Sequence, residues 1–280
     1  MSPLLRIRAQ RDQMSAIDRR IADFLLENAH LLRDYSSPQL ADALGVSQSS
    51  VVKFSQRLGF KGYPDLKYSI GEALARNAHE AAPAPPSTPA AHAELSAALW
   101  RRKGAAEEET RLLNPDAQLD AVVAALAAAG GIHVAGIGED GIAARAFAGR
   151  LALLGLPAVF HGDPVLLAPV LAAARRGDVL VAFCERGRQH ELCLLARDFR
   201  ERRGVLVSVT RHSANPLRAA ADLPLLVSAH AEDDHVETLV YGAALQHLVD
   251  VLFLLLHQAV PACRGRLADN LEQRRRLVDP

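Results

Sequence analysis

Apolar positions along the chain follow two different rhythms. In the N-terminal quarter the spacing is helical: Ile17, Ile21, Phe24 and Leu25 form one stripe, behind Ser15 as a helix N-cap. Ser37 reads as the cap of a second helix, with Pro38 at its first position and Leu40, Ala41 and Leu44 facing inward. Gly45 suits a left-handed stop. Ser47 then caps a third helix, Gln48–Leu58, whose inner face is Val51, Phe54 and Leu58. Later in the chain short apolar runs take over, at Ile132–Ile137, Ala158–Phe160, Val179–Phe183, Val205–Val209 and Leu225–Val227. Helical stretches separate them: Ala143–Leu154, Leu166–Ala174, Glu191–Arg202 and Leu217–Ala220. Such alternation predicts a parallel sheet covered on both faces, with a last long helix, about Val236–Gln258, closing it.

Between the two patterns the periodicity stops. Residues 78–93 are rich in Ala and carry Pro83, Pro85, Pro86 and Pro89, a density that excludes helix and strand and predicts a semi-rigid linker. Two further helices, Glu94–Leu113 and Asp116–Ala129, are expected before the first strand, separated by Asn114-Pro115. The division is therefore a helical domain over 1–77, a linker over 78–93 and an α/β domain over 94–280.

Composition narrows the classes. At 280 residues two domains are expected, and half the chain is apolar. The formal net charge is zero, which excludes a globally basic nucleic-acid coat but not a local patch. Three irregularly placed cysteines give no disulfide framework and suit a reducing cytoplasm. The N-terminus has no apolar run resembling a signal peptide. The tract Leu248–Val260 falls short of the roughly 20 residues that span a bilayer and contains Asp250 and His257. A soluble cytoplasmic protein without membrane contact is expected.

Helix, glycine turn, helix is the layout that sets a second helix into the DNA major groove. The outer face of the third helix carries Gln48, Ser49, Ser50, Lys53, Gln56 and Arg57. Its first turns would reach base edges, while Arg57, Lys61 and Lys67 suit phosphates. From Gly45 to Ile70 there are four basic residues and one acid, Asp65. The candidate DNA-binding set is Ser37, Gln48, Ser49, Ser50, Lys53, Gln56, Arg57 and Lys61. A three-helix bundle with a merely solvated polar face is the competing explanation.

The stretch "SPQLADALGVSQSSVVKFSQRLGFKGYPDLKYSI" closely resembles the N-terminal domain of RpiR-family bacterial transcription regulators. The resemblance extends over almost the whole chain, and its "LGFKGYPDLK" segment is the most specific part. It implies an all-α helix-turn-helix domain joined to an α/β SIS (sugar-isomerase) domain, a flavodoxin-like five-stranded parallel sheet flanked by helices. It also implies a palindromic operator, a homodimer or homotetramer, and a small anionic or zwitterionic effector such as a sugar phosphate. No cofactor or metal is expected.

Two loops carry the candidate ligand chemistry. The first, Val134-Ala-Gly136-Ile-Gly138-Glu139-Asp140-Gly141, has glycines that permit close backbone approach. Its glycine spacing also meets the dinucleotide fingerprint, with His161 and Asp163 near the acid position, although the second loop fits SIS better. That second loop, within "VAFCERGRQHE", runs from a strand through Gly187 into a helix. In the SIS pattern both loops present Ser and Thr hydroxyls to a phosphate. The resemblance places Cys184, Arg186 and Gln189, and Glu139 and Asp140, at those positions. The candidate ligand-binding set is Gly138, Glu139, Asp140, Cys184, Glu185, Arg186, Gly187 and Gln189.

Backbone N–H groups and the start of the Glu191 helix favour an anion, and Arg186 and Arg188 could grip one bidentately. Glu139 and Asp140 would repel a phosphate. Either Arg186 pairs with Asp140 and shuts the pocket, or the effector is zwitterionic with its cation near Asp140. Two further readings compete: a degenerate pocket used only for oligomerisation, and a sugar-phosphate isomerase with Glu191 or His190 as base. Weaker candidates are a His190/Cys193 metal pair, a polar loop with His230, Glu232, Asp233, Asp234 and His235, and Cys263 beside Arg264 and Arg266, whose thiol is expected to be inert rather than activated.

Overall fold

The computed structural model describes residues 3–29, 32, 35–79, 89–229 and 234–278. The chain divides into two compact units, residues 1–101 and 102–280.

In the first unit α1 (Pro3–Gln10) and a short 3-10 turn lead into α2 (Ala16–Glu27), α3 (Ser37–Leu44), α4 (Gln48–Arg57) and α5 (Tyr63–His79). Ser15 caps α2 by accepting from the Asp18 N–H, as the sequence predicts. Ser37 does not cap α3. The cap is Ser36, in a reciprocal box with Gln39, and Ser37 is already the first helical residue. The reason is that only the Ser36–Gln39 pair has the three-residue offset a capping box needs. Ile17 is also misplaced by the stripe, being 50% exposed, while Ile21 and Leu25 are fully buried. They pack with Ile7, Leu40, Val51 and Phe54 into one core. Each such side chain contributes about 1.5–3 kcal/mol of burial. Helix α1 was not legible as an element, yet Leu4 and Ile7 join this core and Arg6 donates to the Leu58 carbonyl at 2.5 Å.

The proline-rich stretch is helical at both edges. α5 runs to His79, and α6 (Pro89–Leu113) starts on Pro89, where proline's missing N–H costs nothing. Residues 80–88 lie outside the described ones.

In the second unit α7 (Asp116–Ala128) precedes β1 (Ile132–Ala135), α8 (Glu139–Leu153), β2 (Ala158–His161), α9 (Pro164–Ala172), β3 (Val179–Phe183), α10 (His190–Glu201), β4 (Val205–Arg211), α11 (Pro216–Ala220), β5 (Leu223–Val227) and α12 (Asp234–Ala259). The sheet is five-stranded and parallel, in the order β2-β1-β3-β4-β5. That is the doubly wound, flavodoxin-like order, whose ligand crevice lies at the carboxyl ends of the strands beside β1 and β3. One face packs Val134, Val181 and Val207 against Val122, Phe147 and Leu248, and the other packs Leu180 and Leu206 against Leu192 and Phe199.

β5 is an edge strand and tolerates Pro224. Its free backbone groups are met by side chains from the α6–α7 corner. Asn114 both accepts from the Leu226 N–H at 2.9 Å and donates to the Leu226 carbonyl at 2.7 Å. Thr110 accepts from the Ser228 N–H and Gln118 donates to the Pro224 carbonyl. An edge covered in this way offers no template to another strand.

Two expectations about the C-terminal end are corrected. α12 does not close the domain, because α13 (Pro261–Val278) follows it. The apolar tract is also longer than Leu248–Val260: Val236–Ala259 is long and apolar enough to cross a membrane by length and composition. In this fold its Val240, Ala244, Leu248, Leu252 and Leu256 are instead buried in the core at helical spacing, and Asp250 pairs with Arg150.

Candidate functional site

Helix α4 is positioned by its inner face. Val51, Phe54 and Leu58 are sunk in the core, and Gly45 turns the chain with φ +58° between α3 and α4. The outer face therefore points to solvent. Gln48, Ser49, Lys53, Gln56, Arg57 and Lys61 are exposed, and Ser50 is half-buried. Ser47 Oγ lies 2.8 Å from both Ser49 Oγ and Ser50 Oγ, so three hydroxyls gather at the start of the helix. Ser37 stands apart from them at the start of α3, half-buried, and its Oγ has no hydrogen-bond partner among the described residues. Two of the expected phosphate-reaching cations are partly engaged: Arg57 is ion-paired with the buried Asp18, and Lys67 donates to the Tyr35 carbonyl at 3.0 Å. Lys53 and Lys61 carry the freest positive charge of the segment.

In the second unit the two glycine loops meet at the carboxyl ends of β1 and β3. Gly136 and Gly141 are obligatory: a Cβ on Gly136 would lie 2.7 Å from the Asp140 carbonyl, and one on Gly141 would lie 2.8 Å from that of Gly136. This packing directs Asp140, in the first turn of α8, at the second loop. Both its oxygens accept from the Glu185 N–H, at 3.1 and 3.0 Å. The loop built like a phosphate cradle thus holds the chain's own carboxylate.

The Arg186–Asp140 lock does not form. Arg186 and Arg188 are exposed, and the cation of the site is Arg211, at the end of β4. Arg211 Nε donates to Glu185 Oε1 at 2.8 Å, its second amine pairs with the same carboxylate, and its remaining amine bonds Glu237 at 2.5 Å. Arg211 lies 5.7 Å from the centroid of the Tyr241 ring. Arg186 was the wrong residue because the loop continues the β3·β4 ladder for one more step. The Arg211 N–H donates to the Glu185 carbonyl at 2.8 Å, which turns Glu185 inward and Arg186 outward.

The other ligand candidates divide similarly. Cys184 is buried in the core, Glu139 and Gly138 are exposed, and Gly187 is buried with φ +59° against Asn215. Gln189 is half-buried, and its Oε1 has no hydrogen-bond partner among the described residues. Burial, with Glu185 and Glu139 adding like charge, pushes the Asp140 carboxyl up to about 6, against the Glu185 N–H and Arg211, which pull it down. Tyr241, missed by the sequence reading, is 5% exposed with no hydrogen-bond partner for its Oη among the described residues. Burial and the charges of Asp140 and Glu185 raise its phenol well above the ordinary value. Glu237 and Tyr241 had one usable signal, an acid and an aromatic one turn apart at the start of an otherwise apolar helix.

Other candidates are absorbed by structure. Asp163, at the dinucleotide acid position, caps α9, and His161 lies 3.3 Å from His133. The Cys193 thiol donates to the Gly187 carbonyl, and no group of three or more metal-ligating side chains occurs among the described residues. Cys263 is 2% exposed in the core, and burial raises its thiol against the lowering effect of Arg266. His230, Glu232 and Asp233 fall outside the described residues, as do the side chains of 234 and 235.

The two units define a class: a helix-turn-helix module followed by a doubly wound α/β domain with a crevice at its strand ends. A family model for the helix-turn-helix domain of the rpiR family matches residues 1–77, and one for the SIS domain matches residues 125–255. A curated Escherichia coli (strain K12) relative, the uncharacterized HTH-type transcriptional regulator YfhH, is 33% identical over 267 residues, covering 92% of this chain and 93% of the relative. Among solved structures, the Vibrio vulnificus NanR protein complexed with ManNAc-6P is similar over 99% of this chain and 100% of its own, with a TM-score of 0.64 and 23% identity. The sugar isomerase domain of an RpiR transcription factor from Sphaerobacter thermophilus covers 65% of this chain and 99% of its own, with a TM-score of 0.57 and 18% identity. The chain belongs to the rpiR family of helix-turn-helix regulators and carries a SIS domain.

Proposed function

We propose that the protein is a cytoplasmic transcriptional regulator, not an enzyme, that reads a palindromic operator as a homodimer or homotetramer and senses a small sugar-type metabolite through its SIS domain. One observation carries the DNA-reading part: α4 is fixed by the buried Val51, Phe54 and Ser55 of its inner face while Gln48, Ser49 and Lys53 stand exposed on its first turns. These are the positions from which a recognition helix reaches base edges, and Lys61 follows on the phosphate side. A symmetric dimer would read two half-sites.

The sensing part is supported by the crevice at the ends of β1 and β3 and by two structural neighbours. NanR is complexed with ManNAc-6P, and an E. coli CFT073 protein similar over 65% of this chain is likewise complexed with a phosphosugar. An isomerase reading has less support, since its expected bases, His190 and Glu191, are both exposed at the start of α10.

The test is a binding titration of the full chain on DNA from upstream of its own gene, repeated with sugar phosphates and over a range of salt. Specific binding with steep salt dependence, altered by an effector, is expected. Binding no tighter than to unrelated DNA contradicts the regulator reading, and turnover of a phosphosugar contradicts the non-enzyme reading.

A further inference from the structure

The place where the two loops meet is acidic. Asp140, Glu185 and Glu237 come together there, and the cation that pairs with acids of this cluster among the described residues, Arg211, is shared between Glu185 and Glu237. Among the described residues no cation forms an ion pair with Asp140. Its carboxylate has about four acceptor sites, and one N–H, that of Glu185, is its hydrogen-bond donor. A phosphate entering here would meet that unneutralised charge, and the Arg211 fork that could grip it is already filled by two carboxylates.

A second, independent observation points to a ligand. Tyr241 is nine-tenths buried, its ring lies beside Arg211, and its Oη has no hydrogen-bond partner among the described residues. A buried hydroxyl left unpaired costs about 1–3 kcal/mol. The centroid of the Tyr241 ring lies 5.7 Å from the Arg211 guanidinium, the group that pairs with Glu185 and Glu237, which places it beside the acidic cluster. A bound molecule with its own hydroxyl groups would pair it.

Resting on the sensory reading above, we propose that the effector is a sugar carrying a free amino group, its ammonium seated at Asp140 and one of its hydroxyls paired with Tyr241 Oη. The ammonium supplies the donors and the positive charge that Asp140 lacks, and charge-assisted hydrogen bonds are about twice as strong as neutral ones. An N-acetylated or plain hydroxyl sugar offers Asp140 neutral donors but no positive charge. A part-buried carboxylate is stabilised by a cation that also satisfies its hydrogen bonds.

The experiment is calorimetric titration of the full chain with D-glucosamine 6-phosphate, D-glucose 6-phosphate, N-acetyl-D-glucosamine 6-phosphate and unphosphorylated D-glucosamine. The amine-bearing sugars are expected to bind at least about tenfold tighter than their hydroxyl or acetyl counterparts, a difference of about 1.4 kcal/mol. Asp140→Asn is expected to abolish that preference. Tyr241→Phe, which removes an unpaired hydroxyl and so keeps the fold, is expected to weaken binding several-fold. Binding of the phosphosugars without amine preference, or a preference that survives in D140N, overturns this inference and leaves the sensory reading standing. Failure of every probe to bind overturns both.

Discussion

Helix α4, proposed to read DNA, and the acidic site between the two loops, proposed to hold the effector, use polar residues in opposite ways. On α4 Gln48, Lys53 and Gln56 face water and are available to a partner outside the chain, whereas Ser49, Ser50, Ser55 and Arg57 are engaged within it. In the pocket the polar groups are turned inward and bound to each other: Asp140 to the Glu185 N–H, Glu185 and Glu237 to Arg211. The first arrangement costs nothing to the fold and is available to DNA. The second holds together the ends of β3, β4 and α12, and any ligand must fit what those pairings leave over. What they leave, among the described residues, is an acid in no ion pair and a phenol without a hydrogen-bond partner.

This contrast can be broken most severely at Arg211. Arg211→Ala leaves the part-buried Glu185 and Glu237 facing each other without a cation. Removing one partner of a fully buried pair costs about 3–5 kcal/mol, and a large share of that is expected here. Chemical denaturation should show that loss in the second unit, whereas Arg211→Met should cost less only if a similar volume without charge can be accommodated. A loss within about 0.5 kcal/mol, the usual range of a surface substitution, would mean that the pocket is not held together by its charges.

On the DNA side the expected effects fall on binding and spare folding. Gln48→Ala or Lys53→Ala should weaken operator binding by about 1–3 kcal/mol with the melting temperature unchanged. Lys61→Ala should weaken all DNA alike and lower the salt slope by about 1.

A pH-dependent effect separates the two regions further. The folded-state value of Asp140, about 6, lies above the ordinary 3.8. The folded chain therefore holds this proton more tightly than the unfolded one. Stability from this group is full below the lower value, declines through the window between them and is absent above the upper. Asp140→Asn should raise the melting temperature at pH 8 by a few degrees and lose that advantage near pH 4. The smallest effect is expected at Ser36→Ala, which breaks the α3 capping box for about 1 kcal/mol, while Ser37→Ala should leave the cap intact.

The sequence was most readable where one local rule decides the outcome. Five apolar runs became the five strands because each is short and bounded by turn residues, even β2, which at the sheet's edge is only half-buried. Gly45 took the left-handed turn that its lack of a Cβ makes easy. Ser15 and Ser47 cap as their spacing indicates. Ser37 failed by one residue because two serines adjoin and only Gln39, three positions beyond Ser36, chooses between them. α1 escaped notice because eight residues are too few to show a helical period, and it gains its stability by packing Leu4 and Ile7 into the core. In the pocket the loops were legible from their glycines, but the partners were not. Arg211 and Tyr241 reach Glu185 and Asp140 through the sheet order, and no spacing along the chain brings residue 211 or 241 next to 140 and 185. Arg186 was the nearest cation in sequence, and the extra ladder step between Glu185 and Arg211 turned it outward.

The central claim is that the exposed face of α4 reads DNA. Its most direct test is fluorescence anisotropy of the wild-type chain and the Gln48→Ala, Lys53→Ala double variant on the DNA upstream of its own gene, beside a scrambled sequence. The account predicts tight, salt-sensitive wild-type binding that prefers the native sequence, and a folded double variant that has lost the preference. Equal binding of the two proteins, or of the two DNAs by the wild type, would contradict it.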